Sequence, residues 1–90
     1  MEKQIHVYYT GRVQGVGFRF TAESLAQSLG IKGWVKNLGD GRVEVEAEAE
    51  EGALKEFLDR IRKHFARTIQ DEDVDWKECS GKLKEFGIRF

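Results

Sequence analysis

The run Gly11-Arg12-Val13-Gln14-Gly15-Val16-Gly17-Phe18-Arg19-Phe20 combines residue types suited to holding a small anion. Its three glycines permit positive φ and close backbone approach, and the amides between them are free to converge on one point. A helical apolar pattern begins at Phe18. The unpaired N–H groups of a first helical turn, and the positive end of the helix dipole, would therefore face the same point as Arg19. Amides, dipole and guanidinium together suit a phosphate-like dianion. Glycines between a strand and a helix also serve simple chain reversal, and spacing alone leaves both readings open. Neither familiar nucleotide loop fits. The Walker pattern needs Lys-Ser/Thr where Phe18-Arg19 stands, and the dinucleotide pattern needs a small residue where Phe20 stands.

Asn37 is the only asparagine in a chain that otherwise favours charged side chains. Near Gly39 it could be a turn-former. Its carboxamide both donates and accepts, so it could equally hold a water without changing protonation state. Other chemistries find little support. His6, His64 and Cys79 share no metal-ligand spacing, so no metal site is expected. Cys79 has no nearby histidine, and Ser24 and Ser28 fall on a helix without a base partner. Glu44, Glu46 and Glu48 read as one solvated strand face.

These residues must be carried by a chain of 90 residues, enough for one domain spanning 1–90 and too short for a separate cofactor domain. With 40% hydrophobic and 11% aromatic residues the composition is globular. No apolar run approaches the roughly 20 residues of a membrane span. Met1-Glu2-Lys3-Gln4 leads directly into a strand pattern, so no signal peptide is expected, and the single cysteine points to a reducing compartment, the cytoplasm. Residues 1–42 carry a net charge of +3 and the remainder −4. A small anion would be drawn to the glycine run, whereas a long polyanion would meet the acidic remainder. The 34% charged residues, with one Met and one Cys, suit a heat-adapted source, although the absence of proline does not.

Alternation of Ile5, Val7 and Tyr9 with His6, Tyr8 and Thr10 predicts a strand over Gln4–Thr10. Phe18, Ala22, Leu25, Ala26 and Leu29 predict a helix that stops at Gly30. A second strand is expected over Ile31–Leu38, then a hairpin in which Asp40-Gly41 supplies positive φ values. Val43, Val45, Ala47 and Ala49 mark the buried face of a third strand. Leu54, Phe57, Leu58, Ile61 and Phe65 form the stripe of a second helix, with Gly52 as a mediocre cap and His64 in its last turn. A connection over Ala66–Gln70, a fourth strand centred on Val74 and Trp76, a turn at Ser80-Gly81 and a short strand over Phe86–Phe90 complete the chain. The result is an α+β, ferredoxin-like split βαβ plan: βαββαβ plus a short last strand, an antiparallel sheet with two helices on one face.

The glycine run through Arg19, Ala26 with Leu29-Gly30, Gly33-Trp34-Val35-Lys36-Asn37, and Asp40-Gly41 with Val43-Glu44 closely resemble the acylphosphatase family. Both signature blocks stand at the family's separation, and weaker elements extend along nearly the whole chain; the departures lie in the second half, where the family pattern is loose. The resemblance implies hydrolysis of acyl phosphates to a carboxylate and inorganic phosphate, without a metal or cofactor. It implies that Val13, Gln14, Gly15, Val16, Gly17, Phe18 and Arg19 form the phosphate-binding loop, with Arg19 on the phosphate and Asn37 orienting the attacking water. The chain is expected to act as a monomer on a small-molecule acyl phosphate, with no nucleic-acid or membrane partner. A binding module is the alternative, since acylphosphatase-like domains also occur in larger proteins such as the carbamoyltransferase that matures hydrogenases. RNA-recognition domains share the split βαβ plan, but they need exposed aromatics on the central strands, where this chain presents glutamates and Tyr8 alone.

Overall fold

Two strands with strictly alternating apolar residues form the middle of the sheet. In the computed structural model, which describes residues 1–90, β1 (Glu2–Gly11) directs Ile5, Val7 and Tyr9 into the core. After α1 (Phe18–Ser28) and β2 (Lys32–Asn37), β3 (Val43–Glu50) adds Val43, Val45, Ala47 and Ala49 to the same core. Then follow α2 (Glu51–His64), β4 (Ile69–Glu78) and β5 (Gly87–Arg89), giving the expected element order. The sheet order is β4-β1-β3-β2-β5. Both helices cover one face, α1 burying Phe18, Ala22 and Ala26 and α2 burying Leu54, Phe57, Leu58 and Ile61. Burial of these apolar side chains is the main stabilising term of the fold.

The four long strands pair antiparallel, as expected, but β5 runs parallel to β2. The topology requires this. β4 lies parallel to β3, so a chain that reverses after β4 must run in the direction of β2. Its connection crosses the end of the sheet remote from the glycine loop, where the Gly33 N–H donates to Lys84 O at 2.9 Å.

Three local expectations are corrected. Glu50, not Gly52, is the N-cap of α2, and its carboxylate pairs with the Met1 ammonium at 2.6 Å instead of capping the helix. In the β2–β3 turn only Gly41 has positive φ (96°); Asp40 keeps negative φ and accepts from Arg42 N–H at 3.1 Å and Arg42 Nε at 2.8 Å. The third correction concerns the glutamate face. Glu44 is half-buried, while Glu46 and Glu48 retain only 7% and 4% exposure. β3 is flanked on both sides, so these side chains lie against their neighbours. Glu46 meets Lys77 Nζ at 3.1 Å, His6 Nδ1 at 3.3 Å and the Gln4 amide, and Glu48 accepts from Ser80 Oγ at 3.1 Å and Gly81 N–H at 3.2 Å.

Candidate functional site

The loop between β1 and α1 is pinned by two buried apolar side chains. Val13 is fully buried, and Phe18 packs against Tyr9 and Phe65 at centroid distances of 5.0 and 4.6 Å. Between these anchors, Gly15 and Gly17 take φ of 77° and 78°, a region costly for any residue with a Cβ, and the arch from Gly15 to Gly17 is exposed. Gly11 serves a different purpose from the one its position suggested. A Cβ there would collide with Thr68 O and Gln70 N, where β1 bulges against the start of β4 and Arg12 N–H donates to Thr68 O at 2.9 Å. Gly11 therefore shapes the stem of the loop.

The arch leaves its amides free. None of the backbone N–H groups from Val13 to Phe20 donates to a backbone carbonyl, and the N-cap Gly17 has no side chain to satisfy the first turn of α1. That turn holds no acidic residue, so the positive helix end is not neutralised from within. Arg19, half-exposed, projects from it.

Asn37 reaches the same place from the sheet. It lies two residues beyond the buried Val35, hence on the face covered by the helices, at the end of β2. Its Oδ1 is buried without a hydrogen-bond partner, an arrangement that costs free energy unless something else donates to it. Val13, Gly15, Gly17, Phe18, Arg19, Phe20 and Asn37 together line a cleft of about 240 Å³. No carboxylate, thiol or imidazole lines it, so it offers donors to an anion and no ligand set for a metal.

The family model described as acylphosphatase matches residues 5–88. The chain belongs to the acylphosphatase family. An acylphosphatase from Caldanaerobacter subterraneus subsp. tengcongensis is 40% identical over 94 residues, spanning 98% of this chain and 99% of the relative. The crystal structure of acylphosphatase from Bacillus subtilis superimposes with a TM-score of 0.90 at 35% identity, covering 100% of both chains. T. kodakarensis HypF matches with a TM-score of 0.83 at 28% identity over 98% of this chain but only 12% of its own. The expectation of an enzyme, an acylphosphatase, is borne out by these relationships, as is the ferredoxin-like fold.

Within the β1–α1 loop, the structure separates what the residues do. Gln14 Nε2 donates to Leu38 O at 2.7 Å and to Arg42 O at 2.9 Å, so its side chain faces the β2–β3 turn that follows Asn37. Sequence reasoning counted Gln14 only as part of the loop. A lone glutamine between glycines carries no local signal of partners 24 and 28 residues away. The ring of Phe90 lies 5.2 Å from Arg19 Cζ, a contact that periodicity could not foresee. The remaining chemistry-bearing side chains stand elsewhere. His6 is bound to Glu44 at 2.6 Å on the opposite sheet face. Cys79 donates to Glu2 at 3.6 Å, and its thiol pKa is raised by a hydrogen bond to Glu48, with burial adding to the effect. That environment makes Cys79 a poor nucleophile.

Proposed function

We propose that this chain, acting as one domain over residues 1–90, hydrolyses acyl phosphates without a metal, binding the phosphoryl group in the Val13–Arg19 loop and placing water with Asn37. The observation that carries this reading is one cleft lined by Val13, Gly15, Gly17, Phe18, Arg19, Phe20 and Asn37, where the loop amides have no backbone acceptor and Asn37 Oδ1 is buried without a partner. The backbone amides and Arg19 neutralise the phosphoryl oxygens as charge builds on them, and they do so from positions fixed by Val13 and Phe18. Asn37 Oδ1 accepts one hydrogen of a water, directing an oxygen lone pair at phosphorus. The new P–O bond forms as the P–O bond to the acyl group breaks. The carboxylate leaves with that electron pair, and the proton released by water passes to a phosphoryl oxygen.

A carboxylate whose conjugate acid has a pKa near about 4 leaves without a general acid. A cleft with no titratable acid therefore suffices for an acyl phosphate and not for an alkyl ester, whose alkoxide must be protonated. The test is hydrolysis of benzoyl phosphate, followed by ultraviolet absorbance in the presence of a chelator. Chelator-resistant turnover that Arg19→Ala reduces by at least roughly 10²-fold is expected, from loss of a preorganised charged donor. A wild type that binds inorganic phosphate yet turns nothing over would be a binding module instead.

A further inference from the structure

A second cavity, of about 320 Å³, opens between β2, β5 and the connection that leads into β5. Alternation with the buried Val35 turns Trp34 to the sheet face that the helices leave bare, and in the parallel β2–β5 pair Trp34 stands opposite Gly87. Gly87 does not take positive φ, and a Cβ on it would meet nothing within 4 Å. Neither backbone conformation nor close packing requires a glycine there; its effect is to leave open the space beside the indole, as a strand glycine does where something else approaches. Arg89 Cζ lies 4.7 Å from the Trp34 ring centre, and Lys82 and Lys84 line the same cavity, with Glu85 as the only carboxylate. None of Lys82, Lys84 and Arg89 makes an ion pair. The connection that carries the lysines is pinned by the Gly33 N–H on Lys84 O at 2.9 Å and by the buried Phe86.

We propose that this cavity binds a small aromatic phosphate of the nucleoside monophosphate class, with its ring beside Trp34 over Gly87 and its phosphate among Lys82, Lys84 and Arg89. An indole and a guanidinium both offer flat surfaces on which a planar ring stacks. The unpaired cations supply the charge that a phosphate dianion needs. Two observations keep the ligand small. The volume stands at the low end of the roughly 300–1,000 Å³ of ligand cavities. The basic strip also ends at β3, where Glu48, Glu46 and Glu44 stand opposite Lys32, Trp34 and Lys36, so a long polyanion would run onto acids. The cavity shares no lining residue with the cleft at Asn37, so the two can be occupied independently.

The experiment is a titration of isotope-labelled protein with adenosine monophosphate, followed by amide chemical shifts, in wild type, Gly87→Val, Arg89→Ala and Arg19→Ala, with inorganic phosphate and adenosine as controls that lack the ring and the charge. Saturable shifts are expected at Gly33, Trp34 and Lys82–Arg89, weakening as salt is added. Gly87→Val fills the open space without altering charge. It should abolish these shifts while urea midpoint and benzoyl phosphate turnover stay unchanged. Arg89→Ala should weaken binding by about threefold to tenfold, from loss of one exposed stacking and charge contact. Arg19→Ala should leave the shifts as they are, which separates this cavity from the phosphoryl cleft. Inorganic phosphate binding here as tightly as the nucleotide would show that no ring is recognised and would overturn the proposal. Shifts confined to Val13–Arg19, undiminished binding by Gly87→Val, or no saturation at millimolar nucleotide would overturn it as well, and none of these would touch the hydrolase reading.

Discussion

Replacing Gln14 by alanine isolates the tie between the β1–α1 loop and the element that carries Asn37. Its amide makes two hydrogen bonds, at 2.7 Å to Leu38 O and 2.9 Å to Arg42 O. Each is worth about 1 ± 0.5 kcal/mol net, so the pair bounds the loss at about 1–3 kcal/mol. Both carbonyls keep a backbone donor after the substitution, Gly41 N–H on Leu38 O at 3.2 Å and Leu38 N–H on Arg42 O at 2.8 Å. No acceptor is orphaned, which places the expected loss at the low end, about 1–2 kcal/mol. If the loop and Asn37 lose register by that free energy, kcat/KM falls about fivefold to thirtyfold, at about 1.4 kcal/mol per tenfold. The assay pairs urea unfolding with benzoyl phosphate kinetics. Gln14→Leu, which keeps volume but no donor, should behave like the alanine variant. Gln14→Glu should be worse than either, because a carboxylate would face two carbonyl oxygens. Unchanged stability and kcat/KM in Gln14→Ala would refute the brace, and full rescue by Leu would reduce it to packing.

Asn37→Ala should lower kcat for benzoyl phosphate with little change in inhibition by inorganic phosphate; loss of phosphate affinity at an unchanged rate would put Asn37 on the phosphate instead of the water. Burial alone would raise the carboxyl pKa of Glu48, but hydrogen bonds from Cys79, Ser80 and Gly81, with Lys32 nearby, outweigh it and hold the pKa below its ordinary value. A lowered folded-state pKa contributes stability that is present above the unfolded pKa near about 4.3 and is lost as pH falls through the folded one. Urea midpoints of wild type and Glu48→Gln should therefore differ most near neutral pH and converge on acidification, and a constant gap between pH 7 and 3 would contradict this. The same Glu48 contact raises the Cys79 thiol pKa, so alkylation by iodoacetamide at pH 8 should be slower than for an unstructured cysteine peptide and faster in Glu48→Gln. Equal rates in all three would show that Glu48 does not control the thiol.

What the sequence discloses and what it hides divide along the range of the interactions. The helix beginning at Phe18 and the inward face of β3 rest on periodicity within single elements, the hairpin after Asn37 on its Asp40-Gly41 turn, and each is found where that local signal puts it. The burial of Val35, which the structure supplies, puts Asn37, two residues on, at the face covered by the helices. Alternation fails for Glu46 and Glu48. It distinguishes two faces of a strand without saying what covers the second, and here Gln4, His6, Lys77 and the turn at Ser80-Gly81 do so. It fails for Gln14 and Phe90 for the same reason, since their partners come from elsewhere in the chain once the sheet has formed. The backbone of the β1–α1 loop was legible because glycines and a helix start announce themselves locally. Its bracing and its apolar rim were not, because each depends on a pairing made only in three dimensions. Substitutions at Gln14 and Phe90 should accordingly alter the rate of benzoyl phosphate hydrolysis while leaving the positive φ at Gly15 and Gly17, and with it the loop backbone, in place.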